Sequence, residues 1–159
     1  MTTYAFIDSQ NLKKSVEAIG KKIDYRRLRL WLKNKKGVDR AIMYFGYMPS
    51  QRAHYNHLEQ CGFELVFRPV EEKFGKKKAN VDICLTISVL DQIDDIDTAY
   101  LVTSDGDFYD LAFRLKKLDK FGGVISPSSQ KNCSALLKKI SKTRIDFVPS
   151  LIDKFEDRT

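Results

Sequence analysis

Short apolar runs alternate with amphipathic segments along the whole chain, and this alternation is the feature that most restricts its fold. The runs are rich in aliphatic and aromatic residues, as expected of strands buried on both faces of a sheet. Helix-like segments between them require crossover connections, so the strands are expected to be mainly parallel. The sequence therefore predicts a three-layer α/β/α domain with a central sheet of five to six strands. These strands are predicted near residues 4–8, 40–46, 64–68, 98–103, 123–126 and 145–148.

The segments between the runs carry apolar residues at helical spacing. Leu12 and Val16 lie on one face of a first predicted helix, and Leu28 and Leu32 lie on one face of a second. A chain of 159 residues is too short for two ordinary domains, so we assign residues 1–150 to one domain and residues 151–159 to a short polar tail. Further helices are predicted over residues 52–61, 81–93, 107–118 and 132–140, and the least ordered stretches over residues 71–78 and 126–131.

Four aspartates lie where these segments meet. Asp8 ends the first run, Asp105 and Asp107 follow the run at residues 99–102, and Asp82 opens a helix-like stretch. Residues just past the carboxyl ends of parallel strands meet in one crevice, and carboxylate oxygens are ligands that Mg²⁺ and Mn²⁺ favour. The pattern predicts a divalent-metal site built from all four side chains. Each aspartate alone could instead cap the helix that follows it.

The net charge of +7 is partly concentrated beside this predicted site. Lys73, Lys76, Lys77 and Lys78 come directly before Asp82. Lysines that flank a carboxylate site suit a substrate that carries phosphates, because they neutralise its charge. We therefore expect Lys76, Lys77 and Lys78 to contact substrate, with a solvated charged loop as the alternative.

The overall composition indicates a globular protein without a membrane segment. Hydrophobic residues make up 43% and charged residues 31% of the chain, and no apolar run approaches the roughly 18 residues of a membrane span. The first residues lack a signal-peptide pattern, so a cytoplasmic location is expected. The three cysteines are widely separated and lack C-x-x-C pairs, which favours reduced thiols over a zinc site or a disulfide. A homodimer through an exposed edge or helix face stays open.

Three segments around the aspartates form an ordered set of motifs. Residues 6–12 are FIDSQNL, residues 78–85 are KANVDICL, and residues 103–108 are TSDGDF. They resemble the F-I-D-x-x-N-L, K-x-x-V-D-x-x-L and S/T-x-D-x-D-F segments of the NYN domain family, also called LabA-like, within the PIN-like nuclease superfamily. The resemblance implies a parallel PIN-like fold, an acidic pocket that binds a divalent metal, and cleavage of RNA.

On this resemblance the chain is expected to be a Mg²⁺- or Mn²⁺-dependent ribonuclease, a phosphodiester hydrolase that acts on single-stranded RNA. The four aspartates would be both metal ligands and catalytic residues, with Asp8 and Asp105 as inner ligands and Asp82 and Asp107 binding directly or through water. Because like charges repel, at least one of these carboxylates should have a raised pKa. Asn11 is expected to orient a carboxylate or the scissile phosphate, and Thr103 and Ser104 are expected to bond a phosphate oxygen or a nearby water.

One position departs from the family pattern and supports an alternative function. Ser88 stands where many relatives have an aspartate, six positions after the residue that matches Asp82. A pocket without that carboxylate would suit a non-catalytic RNA- or protein-binding regulator that retains the fold. A phosphotransfer protein is disfavoured, because the D-x-D sequence follows the fourth strand and Lys131 lies in the wrong context.

Two further pairs of residues have a plain and a functional interpretation. His54 and His57 have helical spacing that could suit a metal, but no cysteine or paired acid lies near them, which favours surface histidines. Tyr47 and Phe74 could stack on nucleobases or could simply pack on the protein.

Overall fold

The computed structural model describes residues 2–78 and 80–159, and the side chains of all of these except Lys73, Lys76, Lys77 and Lys78. Strands and helices alternate along this part of the chain. The strands are β1 (Thr3–Asp8), β2 (Arg40–Gly46), β3 (Phe63–Arg68), β4 (Glu71–Lys73), β5 (Lys76–Lys78), β6 (Thr98–Val102), β7 (Phe121–Ser126) and β8 (Ile145–Phe147). The helices are α1 (Ser9–Ala18), α2 (Tyr25–Lys36), α3 (Arg52–Gln60), α4 (Asp82–Asp91), α5 (Tyr109–Lys117), α6 (Ala135–Ser141) and α7 (Val148–Leu151).

Six strands form one parallel sheet in the order β3-β2-β1-β6-β7-β8. β1 lies between β2 and β6, and five of its six residues are buried, which explains its uninterrupted apolar sequence. The predicted three-layer α/β/α architecture with a mainly parallel, PIN-like sheet is confirmed.

A hydrophobic core fills the space on each face of the sheet. On one face, α4, α5 and α6 contribute Leu85, Leu111 and Leu137 to a cluster around Phe6. On the other face, α1, α2 and α3 pack around Ile7 in a second cluster. The alternation of Phe6 and Ile7 between the two clusters is the period of two that a strand requires. Helices therefore cover both faces and leave the strand ends free to form a site.

Residues 71–78 differ from the expected irregular loop. β4 and β5 pair there as an antiparallel hairpin with Glu71 opposite Lys78 and Glu72 opposite Lys77. The turn holds Phe74 at φ 53° and Gly75 at φ 73°, so the chain reverses through left-handed backbone. Opposite charges in register favour such a pairing, although the strands lack apolar alternation.

The C-terminal tail, which is polar in sequence, packs two apolar side chains into the core. Ile152 and Phe155 are buried in the same cluster as α1 and α2, and the Phe155 ring lies edge-on to Trp31 with 5.8 Å between ring centroids. In the described residues no helix is both long enough and apolar enough to cross a bilayer.

Candidate metal centre

The pairing of β1 with β6 creates the centre. Ile7 lies opposite Val102 in the parallel register, so the next residues, Asp8 at the end of β1 and Thr103 just after β6, lie side by side. The Asp8 carboxylate is buried, with 5% of the residue exposed. Residues separated by 95 positions in sequence therefore meet at the carboxyl edge of the sheet.

Three carboxylates converge at this edge. Oxygens of Asp82, Asp105 and Asp107 all lie within 4.8 Å of one another. Asp82 is the first residue of α4, whereas Asp105 and Asp107 belong to the turn after β6, where residues Gly106–Phe108 form a short 3-10 helix. Asp107 is exposed and the other two are half-buried, so the cluster opens to solvent on one side.

One hydroxyl group links Asp8 to this cluster. The Thr103 hydroxyl donates to Asp8 Oδ2 at 3.4 Å and accepts the backbone N–H of Asp105 at 3.2 Å. The other Asp8 oxygen accepts the N–H of Asn11 at 3.3 Å and caps α1, while Asp105 Oδ1 accepts the N–H of Asp107 at 2.9 Å. Asp8 and Asp105 therefore each cap a helical turn and also belong to the acidic site, so helix capping and a role in the site are compatible.

Asn11 fixes the loop that carries Asp105. Its side-chain oxygen accepts both the backbone N–H and the hydroxyl of Ser104, each at 3.0 Å. Ser104 is thus held from α1, across the end of β1. In this arrangement Asn11 and Ser104 position the acidic turn, and the amide nitrogen of Asn11 is the part of that side chain not used in these bonds.

Close packing explains the glycine between the two aspartates. A Cβ atom at Gly106 would lie 2.6 Å from the hydroxyl oxygen of Ser134, which is nearer than such atoms approach. The backbone N–H of Ser134 also donates to the Ser104 carbonyl at 3.1 Å. The segment before α6 therefore presses against the acidic turn from the side away from α1.

The carboxylates share an unfavourable electrostatic environment. Burial raises the pKa of Asp8, with a further contribution from the charge of Asp105. Burial and then the charges of Asp8, Asp105 and Asp107 raise the pKa of Asp82 to about 6. None of these four aspartates takes part in an ion pair in the described part of the chain. The expected pKa elevation is therefore present at Asp8 and Asp82.

The donor set suits a hard divalent cation. Carboxylate oxygens alone form the cluster, which is the chemistry that Mg²⁺ and Mn²⁺ favour over soft metals. Asp82, Asp105 and Asp107 are placed to hold such an ion. Asp8 does not belong to the group within 4.8 Å, and its assignment as an inner ligand with Asp105 stays a prediction.

Other predicted residues lie in different surroundings. The side chains of Lys76, Lys77 and Lys78 lie outside the described part of the structure, although their backbone forms β5. The Ser88 hydroxyl is bonded to the Tyr44 hydroxyl at 2.6 Å and to the side-chain nitrogen of Gln92 at 3.0 Å. Ser88 therefore belongs to a neutral hydrogen-bond network.

The histidines and the aromatic residues Tyr47 and Phe74 do not belong to the acidic cluster. His57 pairs with the sulfur of Cys61 at 3.6 Å, and no histidine joins a metal-type cluster among the described residues. Tyr47 is 41% exposed and packs against Tyr55 and Phe67, whereas Phe74 is fully exposed at the hairpin turn. The three cysteines are free, with Cys84 only half-buried.

Sequence reasoning missed the neighbours of the site on α1 and α3. Lys13, Lys14 and His54 line a cavity of about 420 Å³ that also includes Ser9, the residue after Asp8. Lys13 and Lys14 are adjacent in the helix that begins directly after Asp8, and this proximity in sequence could have predicted that they lie near the acids. His54 lies more than forty positions along the chain, and only the packing of α3 brings it there.

Comparisons with known proteins agree with this arrangement. The profile of the NYN domain family matches residues 2–145. The fold is similar to the crystal structure of a protein of unknown function from Vibrio parahaemolyticus, with a TM-score of 0.79, 24% identity, and coverage of 98% of this chain and 96% of that one. A search of curated proteins gives no match. With the family profile covering nearly the whole chain and an acidic centre at the carboxyl edge of a PIN-like sheet, this protein belongs to the NYN domain family.

Proposed function

We propose that this NYN domain is a LabA-like, Mg²⁺- or Mn²⁺-dependent ribonuclease that hydrolyses phosphodiester bonds of single-stranded RNA. The convergence of Asp82, Asp105 and Asp107 carries the proposal, because these carboxylates lie within 4.8 Å of one another without a cationic partner in the described structure. Such a set is electrostatically costly unless a cation binds to it.

Each residue of the centre has a distinct task in this proposal. Asp82, Asp105 and Asp107 would hold the metal, and the buried Asp8 supports the site through Thr103. A divalent ion bound there would lower the pKa of a water molecule, so that hydroxide is available as the nucleophile near neutral pH, and would neutralise charge on the phosphate. Asn11 and Ser104 keep the Asp105 turn in place, and Lys76, Lys77 and Lys78 are proposed to hold the strand.

The test is cleavage of a labelled single-stranded RNA in Mn²⁺, Mg²⁺ or EDTA. We expect cleavage only with metal, and a loss of more than about 100-fold in Asp105→Asn, since even outer-sphere changes at metal sites cost about 10- to 100-fold. Asn keeps an oxygen that can accept the N–H of Asp107, so the turn is preserved. Asp94→Asn is the matched control, because Asp94 is an exposed acid of the turn after α4, outside the cluster.

A non-catalytic RNA-binding regulator is the competing function, favoured by the neutral Ser88 network. It predicts that RNA is retained on filters in Mn²⁺ without being cut. Cleavage that persists in Asp105→Asn, in Asp82→Asn and in EDTA would show that the acidic centre is not the reactive site.

A further inference from the structure

A cavity adjoins the acidic centre on the side of α1 and α3. It has a volume of about 420 Å³, within the size range of small-molecule sites, and lies over the carboxyl end of β2. Ser9 and Val81 line it, and these residues directly neighbour Asp8 and Asp82. The cavity and the acidic centre are therefore consecutive along the same edge of the sheet, as two neighbouring units of one substrate would require. We call it the α1–α3 cavity.

The wall formed by α1 is positively charged. Lys13 and Lys14 line the α1–α3 cavity, and neither takes part in an ion pair in the described part of the chain. The charge of Lys14 acts on Asp8, whereas the charge of Lys13 acts on His54. Lys14 therefore lies toward the acidic centre and Lys13 lies toward α3, and together they form a cationic stretch along the cavity. Glu17, one turn further along α1, marks its acidic end.

The opposite wall is flat and aromatic. The half-buried residues Phe45 and His54 line the cavity together with the buried Tyr55, and 5.2 Å separates the ring centroids of Phe45 and Tyr55. Phe67 supports Tyr55 from outside at 4.7 Å. Burial and the nearby charges of Lys13 and His57 lower the pKa of His54, which favours the neutral imidazole. Neutral aromatic surfaces accept nucleobases of any sequence by stacking.

A polar group without a partner lies buried at the start of α1, beside the cationic wall. Ser9 lines the cavity and is 5% exposed, and its buried hydroxyl is one of two buried side-chain polar atoms that have no hydrogen-bond partner among the described residues. Such groups are normally satisfied in native proteins. The cavity therefore combines unpaired cations, aromatic faces and an unused hydroxyl.

We propose that the α1–α3 cavity binds the nucleotide next to the scissile phosphate, with the base against Phe45 and His54 and its phosphate beside Lys13 and Lys14. This inference rests on the proposed ribonuclease function and gives it a direction: the strand runs from the metal centre toward α3. It also predicts tolerance of base identity, because stacking and charge do not read base edges.

The experiment follows backbone amides by NMR in EDTA during titrations with adenosine 5′-monophosphate, adenosine and ribose 5-phosphate. The titrations extend to about 10 mM, which fills a site with a Kd of about 1 mM. We expect the monophosphate to shift the amides of Ser9, Gly46 and His54 and to bind more tightly than either fragment, since only it has both base and phosphate. A short single-stranded oligouridylate should displace it.

Two pairs of variants separate charge from stacking. Lys14→Gln should weaken binding of the monophosphate by about fivefold, as expected for one partly exposed charge, whereas Lys35→Gln on α2 makes the same charge change outside the cavity and should have no effect. His54→Ala should weaken the monophosphate but not ribose 5-phosphate, and His54→Phe should restore binding because it retains a ring. The amide spectrum of each variant reports directly whether it is folded.

The outcomes distinguish this inference from the proposed function. Cleavage of RNA by the wild-type protein with no response of the cavity amides would overturn the nucleotide site and leave the ribonuclease proposal intact. Binding in the cavity without RNA cleavage in Mn²⁺ would overturn the ribonuclease proposal and leave the nucleotide site intact. Equal binding of ribose 5-phosphate and the monophosphate would overturn the aromatic contact, and failure of the oligonucleotide to compete would show a site for free nucleotides instead of a strand.

Discussion

Replacing Asp82 by Asn should stabilise the protein without metal and destabilise it with metal. The pKa of Asp82 is raised from 3.8 to about 6, so its ionised form is disfavoured in the folded state. A shift of about two units corresponds to about 3 kcal/mol at 1.36 kcal/mol per unit. The side chain is only half-buried, so solvent and salt reduce this to about 1 kcal/mol.

A smaller effect opposes this gain, because Asp82 is the first residue of α4. A negative charge at that end of a helix contributes about 0.3–1 kcal/mol, which Asn loses. The net gain in EDTA is then about 0.5 kcal/mol, or about 1–2 °C in Tm for a chain of this size. With metal at about 100 times its Kd, the wild type gains about 2.7 kcal/mol that the variant lacks, so the order of the two melting temperatures should reverse.

The pH dependence gives an independent check on the sign. A raised folded-state pKa means that the penalty is absent below about pH 4, where Asp82 is protonated in both states, and complete above about pH 6. Thermal unfolding of wild type, Asp82→Asn and the control Asp94→Asn in EDTA and in Mn²⁺ measures all of these quantities. If Asp82→Asn melts below the wild type in EDTA at low salt, or keeps the full Mn²⁺ increment, the electrostatic reasoning is wrong.

Three further predictions concern the scaffold around the centre. Gly123 has φ 142° and no room for a Cβ against the backbone carbonyl of the residue before β8, so Gly123→Ala should lower the free energy of unfolding by about 3 kcal/mol. At Gly37 φ is 66° but the space is open, so Gly37→Ala should lower it by only about 1 kcal/mol. Similar losses for the two variants in urea unfolding would contradict the steric argument. The Arg40 guanidinium donates to both carboxylate oxygens of Glu64 at 2.7 and 2.6 Å and lowers the pKa of that carboxyl. Glu64→Gln should therefore cost less than about 1 kcal/mol at neutral pH, because the pair is exposed, and this cost should disappear as the pH falls through the lowered pKa of the wild-type carboxyl; a pH-independent cost would point to packing instead. Asn11→Ala removes the acceptor of two hydrogen bonds and should reduce RNA cleavage by about 10-fold while the free energy of unfolding falls by about 1 kcal/mol, so unchanged cleavage would argue against its positioning role.

The sequence predicted the sheet well because parallel strands buried on both faces are continuous apolar runs. β1 and β6 illustrate this, since each lies within the core, β1 ends at Asp8 and β6 ends three residues before Asp105. The same reasoning predicted that the four acids lie at one edge of the sheet, but it could not predict the distances between their carboxylates. Those distances depend on the Thr103 hydroxyl and on the start of α4, whose positions are set by packing.

Two features escaped prediction for physical reasons. The hairpin of β4 and β5 has no apolar alternation, and its sequence signals are the glycine of its turn and two glutamates that lie opposite lysines in register. The α1–α3 cavity combines residues from separate helices whose distance depends on the docking of α3 against β3. Local sequence patterns carry no information about such a distance.

The central position of β1 has a consequence during protein synthesis. β6, which supplies Thr103 and the turn with Asp105 and Asp107, is made about ninety residues after β1 and completes one side of it. A nascent chain that ends before β6 exposes β1 as an edge strand and carries only Asp8 and Asp82. The acidic centre is incomplete at that stage of synthesis. A domain proposed to cut RNA could therefore not yet attack the message or the ribosomal RNA around it.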